Sequence, residues 1–311
     1  MTEQGATIVL SPLADPVVGA TFCDVEHAGE AAASIIGAIL AKDGVSIGKI
    51  LSVTPQRYYK FPDGRGVRID VEAVAEGDRH VIIEFQAERD PSLFQRNLFS
   101  ASRIFTATTP VGSRPRVLSS VTHKVIAINL LDFNLRDSNT DYLQPVKILY
   151  AKPPHDVALD TFAIYNIQLP RFREAAADFN DNLYCWLYAL DTAGREKKTL
   201  TEVIEMTPEL RAFTERDTGF QQYCKQYNRV ASSPQTREEY LNWLDENTRQ
   251  WAMAEWKRTE GRAQGIAEGI AQGVAQGKLE AAKSFLAMGL TPEQVAQGTG
   301  LPLADVKALQ G

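Results

Sequence analysis

Residues 66–90 read GVRIDVEAVAEGDRHVIIEFQAERD, two runs rich in β-branched residues on either side of the polar break Glu76-Gly77-Asp78. Such runs around a short glycine-containing break predict two antiparallel strands. Successive residues of a strand point to opposite faces. Arg68, Asp70 and Glu72 then share one face of the first strand, with Val67, Ile69, Val71 and Ala73 on the other. In the second strand His80, Ile82, Glu84 and Gln86 share a face opposed by Val81, Ile83 and Phe85. A three-residue loop over 76–78 pairs Ala75 with Arg79, and thereafter residue i with 154 − i. Asp70 then faces Glu84, and Arg68 faces Gln86. A two-residue loop would slip the register by one and set Asp70 across from Phe85. The glycine suits a bulged three-residue turn, so the odd loop is the expectation.

Two carboxylates directly opposite on a sheet repel one another by a few tenths of a kcal/mol or more. A cation between them removes that cost. Mg²⁺ or Mn²⁺ takes oxygen ligands, commonly one or two carboxylates completed by waters and phosphate oxygens. Asp70 and Glu84 are the candidate metal ligands, and the backbone carbonyl of Phe85 offers a further oxygen. Gln86, one pleat beyond Glu84, is placed to orient a water or touch a phosphate. The competing reading of the same pattern is a hairpin whose polar face is simply wet.

Outward from the hairpin, residues 24–41 predict a helix with Asp24 as N-cap and an apolar stripe of Ile35, Ile36, Ile39 and Leu40. ILSVTPQRYYKF is extended and ends at the turn signal Pro62-Asp63-Gly64. Residues 92–105 have helical periodicity, and 124–133, 146–151 and 161–169 read as strands. This order indicates a mixed α/β sheet with helices packed on it. After about residue 175 every periodic segment is helical. Glycines recur at 261, 265, 269, 273 and 277 in EGRAQGIAEGIAQGVAQGK, one stripe of a helix that would allow another helix to approach closely. Interrupted by charged and polar residues, it reads as a helix–helix contact in water, including self-association into a homo-oligomer, or as a flexible spacer. Thr291-Pro292-Glu293 marks a helix start, and 303–309 another short helix. Their spacing permits a helix-turn-helix-like unit, against the plainer reading of a small bundle cap.

The chain has 311 residues, 44% hydrophobic and 23% charged, the balance of a globular protein. No apolar run reaches the roughly 18 residues of a membrane helix, and the opening residues lack the pattern of a signal peptide, so no membrane partner and a cytoplasmic location are the expectation. Cys23, Cys185 and Cys224 lie far apart without a CxxC pair, which reads as buried free thiols. The net charge is −6, yet residues 91–131 contain no Asp or Glu, while Arg96, Arg103, Arg114, Arg116 and Lys124 all fall within them. A purely basic stretch in an acidic chain is a candidate phosphate-facing surface.

The run Arg68-Ile-Asp70-Val-Glu72 … Val81-Ile-Ile-Glu84-Phe-Gln86 resembles the core of the PD-(D/E)XK nuclease-family transposases, also called recombination-promoting nucleases. There an Asp ends one strand and E-x-Q replaces the commoner E-x-K on the next. SLFQRNLFSASRIF resembles the family's following helix, KVIAINLLDFNL the strand after it, and TFAIYNIQLPRF a late core strand. The glycine-every-four segment and MGLTPEQVAQGTGL resemble its C-terminal part, so the likeness covers about residues 15–311. It implies a restriction-endonuclease-like mixed sheet flanked by helices, followed by an all-helical region. The expected divisions are 1–175 for the nuclease-like core, 176–258 for a helical lobe, and 259–311 for the glycine-repeat helix and tail. It further implies a Mg²⁺- or Mn²⁺-dependent endonuclease acting on DNA, linked to a mobile element or to recombination. The Pro62-Asp63 pair lies in a turn and is a decoy. The family's first helix often brings an acid to the metal, for which Glu30 is the first candidate here and Glu26 the next. Gln95 and Arg96 are placed to approach from the following helix. Gln86 in place of Lys leaves an alternative: a catalytically weak or inactive nuclease-fold protein that binds nucleic acid or self-associates.

Overall fold

Six strands with the expected hydrophobic patterning build one sheet in the computed structural model, which describes residues 8–22, 28–60, 66–87, 89, 91–108, 124–135 and 141–309. They are β1 (Ile50–Lys60), β2 (Gly66–Ala75), β3 (Arg79–Gln86), β4 (Lys124–Leu131), β5 (Leu143–Leu149) and β6 (Val157–Gln168), in the order β1-β2-β3-β4-β6-β5. β3, β4 and β6 run parallel, and the remaining neighbours are antiparallel. The central β4, KVIAINLL, is apolar almost throughout because a parallel strand between helical layers is buried on both faces.

One face carries Val71, Val81, Ile83, Ile128 and Tyr165 into the larger core. That core is closed by α1 (Asp15–Thr21), α2 (Ala28–Ala41), the one-turn α4 (Leu169–Phe172), α5 (Asn182–Glu196), α6 (Leu200–Met206), α7 (Pro208–Arg216) and α8 (Thr218–Ala231). Each large side chain buried there contributes about 1.5–3 kcal/mol. The opposite face presents Ile82, Val125, Ala127 and Ile164 to Ala101 and Ile104 of α3 (Leu93–Thr108). Cys185 and Cys224 are buried free thiols. Cys23, Asp24 and the turn Pro62-Asp63-Gly64 lie outside the described residues.

α2 and α8 touch at backbone distance. A Cβ on Gly219 would lie 2.4 Å from the Glu30 carbonyl oxygen and 2.5 Å from Ser34 Cβ. Beside this crossing Ser34 Oγ donates to Asp217 at 2.8 Å and accepts from Trp186 Nε1 at 2.9 Å, while Asp217 caps α8 through the Phe220 amide at 2.8 Å.

The chain forms two compact units, Met1–Trp243 and Leu244–Gly311. α9 (Pro234–Ala287) is helical through all five repeated glycines. A Cβ on any of Gly261, Gly265, Gly269, Gly273 or Gly277 would meet nothing within 4 Å. The second unit has its own small core of Ala282, Val295 and Val306, built with α10 (Pro292–Thr299) and α11 (Leu303–Ala308). Thr291 starts α10 through a reciprocal cap with Gln294. Among the described residues no helix is long and apolar enough to cross a membrane.

Candidate functional site

The β2–β3 turn is the odd one. Glu76, Gly77 and Asp78 form it, with Gly77 at φ +73° and Asp78 at φ +57°. Ala75 pairs with Arg79, and the ladder runs on to Val71 and Ile83. Asp70 and Glu84 are the next position in that register, where the ladder stops. There the Phe85 amide donates to Asp70 Oδ2 at 3.0 Å, so a side chain takes over a bond that the neighbouring strand would have made.

Strict alternation of β2 does not hold. Val71 packs in the larger core with Ile83, whereas Ile69 packs on the α3 face with Ile82. Two residues apart in an unbroken strand would share a face, so the pleat breaks at Asp70. Opposite the break on β1, between the Pro55–Val71 and Arg57–Ile69 pairs, stands Gln56 with φ +50°. A non-glycine residue held in that region costs of order 1–3 kcal/mol and tends to occur at functional sites. Gln56 turns its amide onto Gly19 of α1, where a Cβ would lie 3.1 Å from its Nε2.

The result is a cleft of about 210 Å³ at the end of β3, into which Asp70, Glu84, Gln86 and Phe85 converge with Asp15, Gln56 and two arginines, Arg68 and Arg96. Asp15 starts α1 ahead of a proline in the first turn, and its carboxylate is hydrogen-bonded by the Trp243 side chain. Arg96 of α3 reaches within 3.8 Å of Glu84 Oε2 and 3.4 Å of Gln86 Oε1.

Electrostatically the carboxylates strain against one another. Burial raises the Asp70 carboxyl well above its ordinary value; the Phe85 amide opposes this, the Asp15 charge adds to it, and Arg96 and Arg68 offset part. Burial likewise raises Glu84, followed by the charge of Asp70, with Arg96 again opposing. The two titrate as a pair. A buried, repelling pair of oxygen ligands is where a small hard cation gains most. Among the described residues no three His, Cys, Asp or Glu side chains stand close enough to hold a metal ion by themselves.

Glu72 takes no part. Burial alone would raise its carboxyl, but hydrogen bonds from His80 Nδ1 at 2.9 Å and Tyr59 Oη at 2.7 Å hold it low. Glu30 is exposed on α2, at the crossing with α8, and does not line the cleft; Glu26 lies outside the described residues. The helical acid that lines this cleft is instead Asp15 of α1. The Asp15-Pro16 helix start signals α1 in the sequence, but nothing local in it signals the approach to Asp70. Of the basic residues, Arg96 reaches the cleft and Arg103 lies two turns further along α3. Lys124 pairs with Asp160 at 2.7 Å and sits across from Arg79, five residue steps and about 16 Å from the Glu84 row. Arg114 and Arg116 lie outside the described residues.

A family model described as PD-(D/E)XK nuclease family transposase matches residues 25–252. No curated protein and no solved structure matches the chain.

Proposed function

The chain belongs to the PD-(D/E)XK nuclease family transposases, and on that footing we propose that it is a divalent-cation-dependent endonuclease that hydrolyses phosphodiester bonds of DNA, in a mobile element or a recombination process. The observation that carries this reading is the Asp70–Glu84 pair at the fork of β2 and β3, buried, mutually repelling and open to one cleft. Its donor set is all oxygen, as Mg²⁺ or Mn²⁺ requires. Asp70 and Glu84 would hold the ion, with the Phe85 carbonyl as a third oxygen; two carboxylates leave most of its coordination to waters and phosphate oxygens. The ion, when bound, supplies positive charge that polarises the phosphate and eases loss of a proton from the attacking water.

The chain's own residues supply the rest. Gln86 has the reach to hold the attacking water by its amide, which fixes the line of approach to phosphorus. The new bond joins the water oxygen to phosphorus, the bond to one ester oxygen breaks, and that leaving oxygen takes a proton from solvent in place of the one the water gives up. A lysine two residues after Glu84 would have brought positive charge to the phosphate. Here the guanidinium of Arg96, 3.4 Å from Gln86 and 3.8 Å from Glu84, provides it from α3. That contact favours an active enzyme over a binding protein that has lost its chemistry. Metal-dependent nicking of supercoiled plasmid, and its loss in Asp70→Ala and Glu84→Ala, tests the reading.

A second proposal concerns assembly. The glycine stripe of α9 is open, and Ile266, Ile270 and Val274, each next to a repeated glycine, are more than half exposed. A helix of a second copy would fit that face, giving a homo-oligomer.

A further inference from the structure

A second cleft, of about 300 Å³, adjoins the carboxylate cleft and shares Asp15, Phe85 and Gln86 with it. Neither Asp70 nor Glu84 lines it. Leu13, Phe85 and Trp243 give it apolar walls, and each is only half-buried, so the cleft keeps apolar surface open to a ligand. Trp243 stands near the start of α9. Tyr240 stacks on it, with ring centroids 5.8 Å apart and planes 23° from parallel, and its side chain bonds to Asp15. The indole is thereby held in place before any ligand arrives.

Two arginines also line the cleft, but their charge is already matched. Arg173 donates to Asp132 at 2.7 Å and to Asp191 at 2.6 Å, and Arg195 lies 3.6 Å from Asp191. With Asp15 included, three acids stand against two bases. A phosphate would find no surplus of positive charge here. A neutral, planar group with polar edges suits the cleft better. Its flat faces would lie against Trp243, Phe85 and Leu13, and its edges would meet the Ser11 hydroxyl, the Gln86 amide and the Arg173 guanidinium. A nucleobase is such a group, and the shared wall of Asp15, Phe85 and Gln86 sets the cleft beside the strand held at Asp70 and Glu84.

We infer that this cleft holds one unpaired nucleobase of the strand being cut, drawn out of the duplex beside the bond at Asp70 and Glu84, with Trp243 as its aromatic wall. The inference rests on the nuclease reading and gives it a substrate preference. Drawing a base out of the stack costs least where that base is already mispaired, and contact with an aromatic wall returns part of the cost. The enzyme therefore favours DNA with a mispaired nucleotide next to the bond it cuts.

The test uses three labelled duplexes of one sequence: fully paired, with a single mismatched base, and with that base removed to leave an abasic sugar. Each is bound to the full chain in Ca²⁺, and cleavage is mapped in Mg²⁺ or Mn²⁺. The mismatched duplex binds about tenfold more tightly than the paired one, and the abasic duplex, with no base to hold, loses that gain. Cleavage falls beside the mismatched nucleotide and follows it when the mismatch is moved. Leu13→Trp, which fills the cleft, binds the mismatched duplex no more tightly than the abasic one. Equal binding of these two duplexes by the parent overturns the inference, because it means that the base is not held. A parent-like difference in a folded Leu13→Trp overturns it as well. The comparison within the parent needs no variant, so it decides the matter even if Leu13→Trp melts early. The nuclease reading fails separately, if the parent shows this preference in binding but cuts with neither ion. A chain that cuts while binding mismatched and abasic duplexes alike keeps that reading and loses the base cleft. A chain that binds no duplex contradicts both.

Discussion

The Phe85 amide donates to Asp70 Oδ2 at 3.0 Å, one residue beyond the last ladder pair, Val71–Ile83. One oxygen of Asp70 is thereby used to hold the fork of the two strands, and the other is left for a ligand. The neighbouring Glu84 rides on β3, paired in parallel with β4 and buried on both sides. Rigid main chain thus sets the distance between the carboxylates.

This placement has a pH signature. Both carboxyls are raised above the ordinary carboxylate range by burial first; the charge of Asp70 adds to the rise at Glu84, and the charge of Asp15 to the rise at Asp70. Between that range and the raised values the native state keeps a proton that the unfolded chain has released. Stability therefore falls as pH rises through this window. Glu84→Gln removes one titrating group, so it should melt above the parent at about pH 8 and close to it at about pH 4. Mn²⁺ affinity of the parent should rise with pH across the same window, because the ion displaces the shared proton. Calorimetric titration and thermal melts at the two pH values read both effects.

Arg96 provides the second prediction. If its guanidinium replaces the missing lysine charge, Arg96→Gln lowers kcat by about 10²–10³-fold, with a much smaller change in duplex binding. Arg96→Lys recovers part of the rate, since lysine restores a point charge but not the fork that spans Glu84 and Gln86. Steady-state cleavage measured alongside binding in Ca²⁺ separates the two terms.

The hairpin was legible because a three-residue turn with glycine leaves only one register in which both strands bury an apolar face; Val71–Ile83 and Ala75–Arg79 are the pairs that turn length dictates. Regular alternation then carried Ile69 to the wrong face. Its position depends on the break at Asp70 and the left-handed Gln56 across from it, neither of which a local pattern marks. Asp15 escaped notice for a related reason: its helix start is readable, but its contact with the hairpin comes from tertiary packing of α1. Glu30 sits on a helix of the right kind, but its carbonyl meets α8 and its exposed side chain lines no part of the cleft.

Gly219 tests the packing that holds α2 against α8. Gly219→Ala would drive a methyl into the Glu30 carbonyl and Ser34, neither of which is a flexible tip. A loss of about 1–3 kcal/mol is expected, read as a shift of the urea midpoint at unchanged slope. Gly37, on α2 with open space around it, accepts Ala without loss.

The glycine stripe of α9 yields the fourth prediction. Gly269→Leu should lower the mass of the chain in light scattering if a second copy packs there, because leucine keeps the two backbones apart. The same substitution in a chain that does not self-associate leaves the mass unchanged and makes the helix more stable by about 1 kcal/mol.

The most direct test of the central claim is cleavage itself. Supercoiled plasmid incubated with the chain and Mg²⁺ or Mn²⁺ should be nicked, and Asp70→Ala and Glu84→Ala, folded as judged by their melts, should each abolish nicking. Nicking that survives both substitutions, or a well-folded parent that binds DNA and cuts with neither ion, would contradict it.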